Sequence, residues 1–98
     1  MNKNWSDEEL EAAVRSYLEM KDKDLKGIKF SKVEYYRELS KKFGRSEKSF
    51  EYRMQNISFV FSELGRDWLT GLKPAKNVGS NVFGKIDEII DRLEKEKI

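Results

Sequence analysis

Apolar residues recur three or four positions apart through most of this chain, and each such stretch is introduced by a serine and closed by a glycine or a charged run. That period belongs to helices with one buried face. The first stretch begins at Ser6. Ser6-Asp7-Glu8-Glu9 has the form of a capping box, in which the serine oxygen accepts from the third amide and Glu9 reaches back. Trp5 and Leu10 have the spacing of a hydrophobic staple, and Leu10, Val14, Tyr17 and Leu18 share one face. The polar run Lys21 to Asp24, followed by Gly27, ends it. The second stretch repeats the device: Phe30 precedes the cap Ser31, Glu34 and Tyr35 take the box and staple positions, Tyr36, Leu39 and Phe43 point inward, and Gly44 stops the helix. The third is capped by Ser46, and Phe50, Met54, Ile57, Phe61 and Leu64 make its stripe up to Gly65.

Residues 66–80 break the period. They contain the only proline, yet Trp68, Leu69, Leu72 and Val78 are too apolar for a free linker, so the segment is expected to fold onto the helices and close the core under Trp68. A fourth helix follows from Ser80 or Asn81, with Val82, Ile86, Ile89, Ile90 and Leu93 inward, and its end at Glu94-Lys95-Glu96-Lys97 is expected to fray. The pattern predicts an all-α domain spanning 1–98: a three-helix core over 5–65 with a helix-turn-helix connection, an ordered loop over 66–80, and a C-terminal helix over 81–96.

Composition narrows the chemistry. The 98 residues suffice for one domain. Hydrophobic residues make up 38% and charged residues 39%, a balance that suits a small helical protein with a charged surface. Cysteine and histidine are both absent. Thiolate chemistry is therefore excluded, and the usual general base and the usual zinc ligand are missing. Carboxylates alone can serve glycoside or magnesium chemistry, but here they sit in mixed Glu/Lys helical runs, so neither an enzyme nor a cofactor or metal site is expected. No apolar run approaches 18 residues and the opening residues carry no apolar leader, so neither a membrane partner nor secretion is expected; a reducing cytoplasm fits the lack of cysteine.

The net charge is only +2, but its distribution is uneven. The first twenty residues carry five acids against two bases, while residues 41–53 carry Lys41, Lys42, Arg45, Lys48 and Arg53 against Glu47 and Glu51. This basic segment contains the turn Gly44-Arg45-Ser46 between two helices, the connection of a helix-turn-helix unit. On the third helix, Lys48, Tyr52 and Gln55 lie opposite the apolar stripe, flanked by Ser49, Arg53 and Asn56. Such residue types suit a helix lying in a groove of double-stranded DNA. Arg45 and Lys48 are read as phosphate contacts with Ser49 and Tyr52 beside them, and Arg53 and Asn56 as contacts to base edges on condition that they are exposed; both lie near the border of the stripe, where a structural role is the alternative. Lys73, Lys76 and Asn77 offer a further backbone contact, against the plainer reading of an ordered loop. Tyr52 and Phe59 lie off the stripe, either covered by the C-terminal segment or exposed to a partner. A protein-interaction module, an inhibitor or an oligomerisation domain using the same helical face, is the alternative to DNA binding.

Two resemblances reach the same residues. Trp5-Ser6-Asp7-Glu8-Glu9-Leu10, then Gly44-Arg45-Ser46 with Ser49, Arg53 and Asn56, resemble Myb/SANT-like three-helix domains, which implies a third helix in the major groove. The family's later tryptophans have no counterpart here. Over nearly the whole chain, WSDEELEAAVRSYLEM, YYREL, GRSEKSFEYRMQNIS, ELG and GLKPAKNVGSNV resemble the helical module at the N-terminus of HNH-type and modification-dependent restriction endonucleases. That resemblance implies a targeting or assembly module whose partner is a nuclease domain, since the His-Asn-His metal centre itself has no histidine to use.

Overall fold

The computed structural model describes residues 4–96, and within them the chain forms four α-helices and no strand: α1 (Asp7–Leu25), α2 (Lys32–Phe43), α3 (Glu47–Glu63) and α4 (Ser80–Lys95). The caps of α1, α2 and α3 fall where the serines stand, while α4 starts from Gly79 without a side-chain cap. Ser6 Oγ accepts from the Glu9 amide at 3.1 Å, and the Glu9 carboxylate accepts from the Ser6 amide at 2.9 Å, completing the box. Ser31 and Ser46 cap α2 and α3 through the amides of Glu34 and Ser49. Gly44 ends α2 at φ 79°, a left-handed backbone that costs a side-chain-bearing residue about 1–2 kcal/mol. Its amide donates to Ser40 O at 2.8 Å. Only Arg45 and Ser46 then separate it from α3.

α1 and α3 form the centre, with α2 and α4 on opposite sides and out of contact with each other. The pairings fix the directions. Trp5 meets Phe50 and Tyr17 stacks on Phe61, so α1 and α3 run the same way. Lys85 pairs with Asp7 and Arg92 with Glu11, so α4 also runs with α1. Two successive parallel helices need a connection that travels back the length of the molecule, and residues 66–79 make that return. Leu69 and Leu72 are buried among the helices. The Leu69 amide donates to the buried Tyr17 hydroxyl at 2.8 Å, and that hydroxyl also meets Ser58 Oγ at 2.8 Å. Further along, the Ala75 amide donates to Gln55 O at 3.0 Å, and Asn56 Nδ2 donates to Ala75 O at 2.7 Å. The loop is therefore held at two points, on Tyr17 of α1 and on Gln55 and Asn56 of α3, each giving a backbone group of the loop a hydrogen-bond partner.

Two expected core positions differ. Leu64 follows the last turn of α3, beyond its neighbours, and is 42% exposed. Trp68 stands 43% exposed at the turn into the return loop, and Leu69 and Leu72 take the covering role assigned to it. The remaining stripes enter one continuous core, with Met20, Phe50, Met54, Ile57 and Phe61 fully enclosed.

Candidate nucleic-acid interface

The basic segment lies at the junction of α2 and α3, and its members have very different surroundings. Arg45 is committed to the fold. Its Nε donates to Glu9 Oε2 at 2.6 Å, its Nη2 to Asn4 O at 2.7 Å, and the guanidinium lies 4.4 Å from the Trp5 ring centre. The Arg45 hydrogen bond holds the Glu9 carboxyl below the usual carboxylate range; burial opposes this, and the Ser6 amide adds to it. Sequence spacing ties Glu9 to the cap of α1, and the structure shows the same carboxylate also clamping the α2–α3 turn to the start of α1.

Arg53 approaches Trp5 as well, at 4.7 Å, so the indole receives two guanidinium groups. Its Nη1 donates to Asn56 Oδ1 at 3.0 Å, while its Nε is enclosed without a partner. Burial, reinforced by the Arg45 charge, pulls its pKa below the ordinary arginine value, yet a guanidinium remains cationic at any physiological pH. Asn56 itself is 0% exposed, with one end of the amide on Arg53 and the other on Ala75. The condition attached to its base-edge role is not met in this conformation. The stripe of α3 and the return loop enclose it, and its work is to fasten that loop.

Lys48 and Tyr52 project from α3 into solvent, Tyr52 being 42% exposed. Ser49 is half-buried and its hydroxyl bonds Ser46 Oγ at 2.8 Å. Phe59, in contrast to Tyr52, is covered by Phe83 of α4 at 5.9 Å between ring centres. The Asn56–Ala75 bond brings the loop bearing Lys73 and Lys76 alongside α3, and both lysines are exposed. The structure thus assembles Lys48, Tyr52, Arg53, Lys73 and Lys76 around one side of α3, and withdraws Arg45 and Asn56 beneath it.

Ion pairing divides the surface. On the α1/α4 side, Arg15, Lys85, Arg92 and Lys95 each hold a carboxylate within 3.4 Å. Among the described residues, Lys41, Lys42, Lys48, Lys73 and Lys76 hold none within 4 Å. The counter-ions along α1 and α4 cancel local positive charge; around the α2–α3 turn Arg45 is paired with Glu9 and Arg37 with Glu47, while these five lysines are left without a carboxylate. Among the described residues no three carboxylates converge to hold a metal ion, and no helix is long and apolar enough to cross a membrane.

Compared with protein-family models, with curated proteins and with solved structures, the chain matches none. The class that the fold defines is a four-helix all-α domain.

Proposed function

We propose that this domain binds double-stranded DNA without catalysing a reaction, laying the exposed side of α3 in the major groove in the manner of a helix-turn-helix protein. The observation that carries the proposal is that five lysines without carboxylate partners among the described residues, Lys41, Lys42, Lys48, Lys73 and Lys76, stand around the α2–α3 turn and the loop pinned to α3. Cations left unpaired by their own protein keep their full charge for phosphate. Tyr52 is the exposed side chain for the groove edges, with the half-buried Arg53 beside it, and Ser49 lies beside the N-terminal pole of α3, which favours anions. Arg45 and Asn56 act indirectly, the first fixing the angle between α1 and the turn, the second holding the loop lysines at α3. The Myb/SANT-like opening supports the three-helix docking mode, and the likeness to restriction-endonuclease modules supports a role in targeting a nuclease to its site.

The test is a fluorescence-anisotropy titration of a labelled duplex at several salt concentrations, with methylated and unmethylated versions. Four phosphate contacts give a slope of log affinity against log salt near about −3.6, a loss of roughly 150-fold between 50 and 200 mM. Replacing Lys48 and Lys76 together by alanine should reduce that slope by about 1.8 and weaken every duplex alike. Preference for the methylated duplex supports modification-dependent targeting. Absence of binding at the lowest salt overturns the DNA reading.

A further inference from the structure

Most large hydrophobic side chains left in solvent gather at one end of the molecule. Leu25 closes α1 and is 83% exposed, Ile28 and Val33 at the entry to α2 are 51% and 49% exposed, and Leu64 and Trp68 at the exit of α3 are 42% and 43% exposed. The directions of the helices bring these positions together, because α1 and α3 finish where α2 begins. Contacts across the end join its parts: Thr70 Oγ1 donates to Asp24 Oδ2 at 3.4 Å, and the Lys32 ammonium lies against Gly71. Between Leu25 and Trp68 runs an open groove of about 650 Å3, bordered by Lys21, Asp24, Arg66 and Asp67.

We infer that this end is a self-association face whose occupant is a second copy of the chain, related by a two-fold axis. Two features favour a copy over another partner. The five side chains leave on the order of 400 Å2 of apolar surface in water. A standard interface takes about 800 Å2 from each partner, a little over half of it apolar, so the patch is the size of one half of such an interface. The charges at the groove are also of both signs. Lys21 lies over the Phe61 ring at 4.3 Å and feels the Glu94 and Asp67 charges of its own chain, yet among the described residues neither Lys21 nor Asp67 holds an ion pair within 4 Å. In a two-fold contact each residue meets the other's counterpart, so Lys21 of each copy reaches Asp67 of the other and both charges are answered. A partner carrying one sign of charge leaves one of them opposed. The face lies at the C-terminal end of α3, about 25 Å along its 17 residues from the lysines at its start, and stands independently of the DNA reading.

Sedimentation velocity of the full chain between about 1 µM and 500 µM should show a concentration-dependent monomer–dimer equilibrium. Leu25→Glu and Trp68→Ser, both at exposed positions, should each weaken it at least about tenfold with an unchanged helical circular-dichroism spectrum. Lys21→Glu and Asp67→Lys should each weaken self-association alone, and an equimolar mixture of the two should restore a dimer, since the swapped charges become complementary across the axis. A wild-type chain that stays monomeric to the highest concentration overturns the inference. So does a dimer indifferent to both Leu25→Glu and Trp68→Ser, or a mixture of the swapped variants that fails to associate.

Discussion

Replacing Asn56 by alanine removes the only side chain in the described residues that bonds both α3's outer arginine and the return loop. Asn56 is fully buried, so water does not replace what is lost. Ala75 O loses its donor at 2.7 Å and Arg53 Nη1 loses its acceptor at 3.0 Å, in a guanidinium whose Nε already lacks a partner. A buried group left without its partner costs about 1–3 kcal/mol, more when charged, and a small cavity adds to it; relaxation of Arg53 toward solvent returns part. The expected net loss is about 2–4 kcal/mol. For a domain of this size each kcal/mol moves the melting temperature by about 4–8 °C, so the midpoint should fall by roughly 8–32 °C in a circular-dichroism melt. The second Ala75 bond, from its amide to Gln55 O, is made by backbone and survives the substitution, so amide hydrogen exchange should rise in residues 73–78 more than in α1. A midpoint within about 2 °C of wild type, or protection unchanged in the loop, would refute the assignment of Asn56 as the fastener.

Two tyrosines give a matched pair. Tyr17→Phe strands the Leu69 amide and Ser58 Oγ in the core and should cost about 1–3 kcal/mol in urea unfolding, whereas Tyr36→Phe removes a buried hydroxyl that has no partner and should be neutral or stabilising. The Tyr36 phenol is pushed up to about 12 by burial, with the Glu51 charge adding to it, so it stays protonated and its substitution should not alter the pH dependence of stability between pH 6 and 9. Glu9 sets an acid limb. Its folded-state pKa lies below its unfolded value, chiefly because Arg45 bonds the carboxylate, so its contribution is present above the unfolded pKa and is lost as pH falls through the folded one. Glu9→Gln should therefore lower stability at pH 7 and flatten the decline below about pH 4.5; an acid limb identical to wild type would count against the clamp.

The helices were legible because their start signals are local. Ser6, Ser31 and Ser46 cap and Gly44 stops their helices as their positions announce, but the reciprocal box forms only at Ser6 and Glu9; at α2 Glu34 gives its amide alone, and α4 starts from Gly79 without a side-chain cap. What sequence spacing cannot express is competition between partners far apart in the chain. Arg45 and Lys48 look alike as cations flanking a cap, yet Arg45 sits opposite Glu9, thirty-six positions earlier, and Lys48 faces water. Asn56 and Gln55 are adjacent polar residues at the edge of one stripe, and the return loop separates their roles by enclosing one amide and using only the backbone of the other. The loop's path in turn depends on α4 running parallel to α3, a direction that pairs such as Lys85–Asp7 report and that no periodicity encodes. The parallel run of α1 and α3 leaves Leu25, Leu64 and Trp68 together at one end: the sequence reads Leu64 as part of the α3 stripe and Trp68 as closing the core, and only the directions of α1, α2 and α3 convert them into a face. The basic side of α3 and the apolar end lie at different places in the fold, so the two proposals can be tested apart. A Leu25→Glu variant that is monomeric but keeps its salt-dependent affinity for DNA would separate the two surfaces in a single protein.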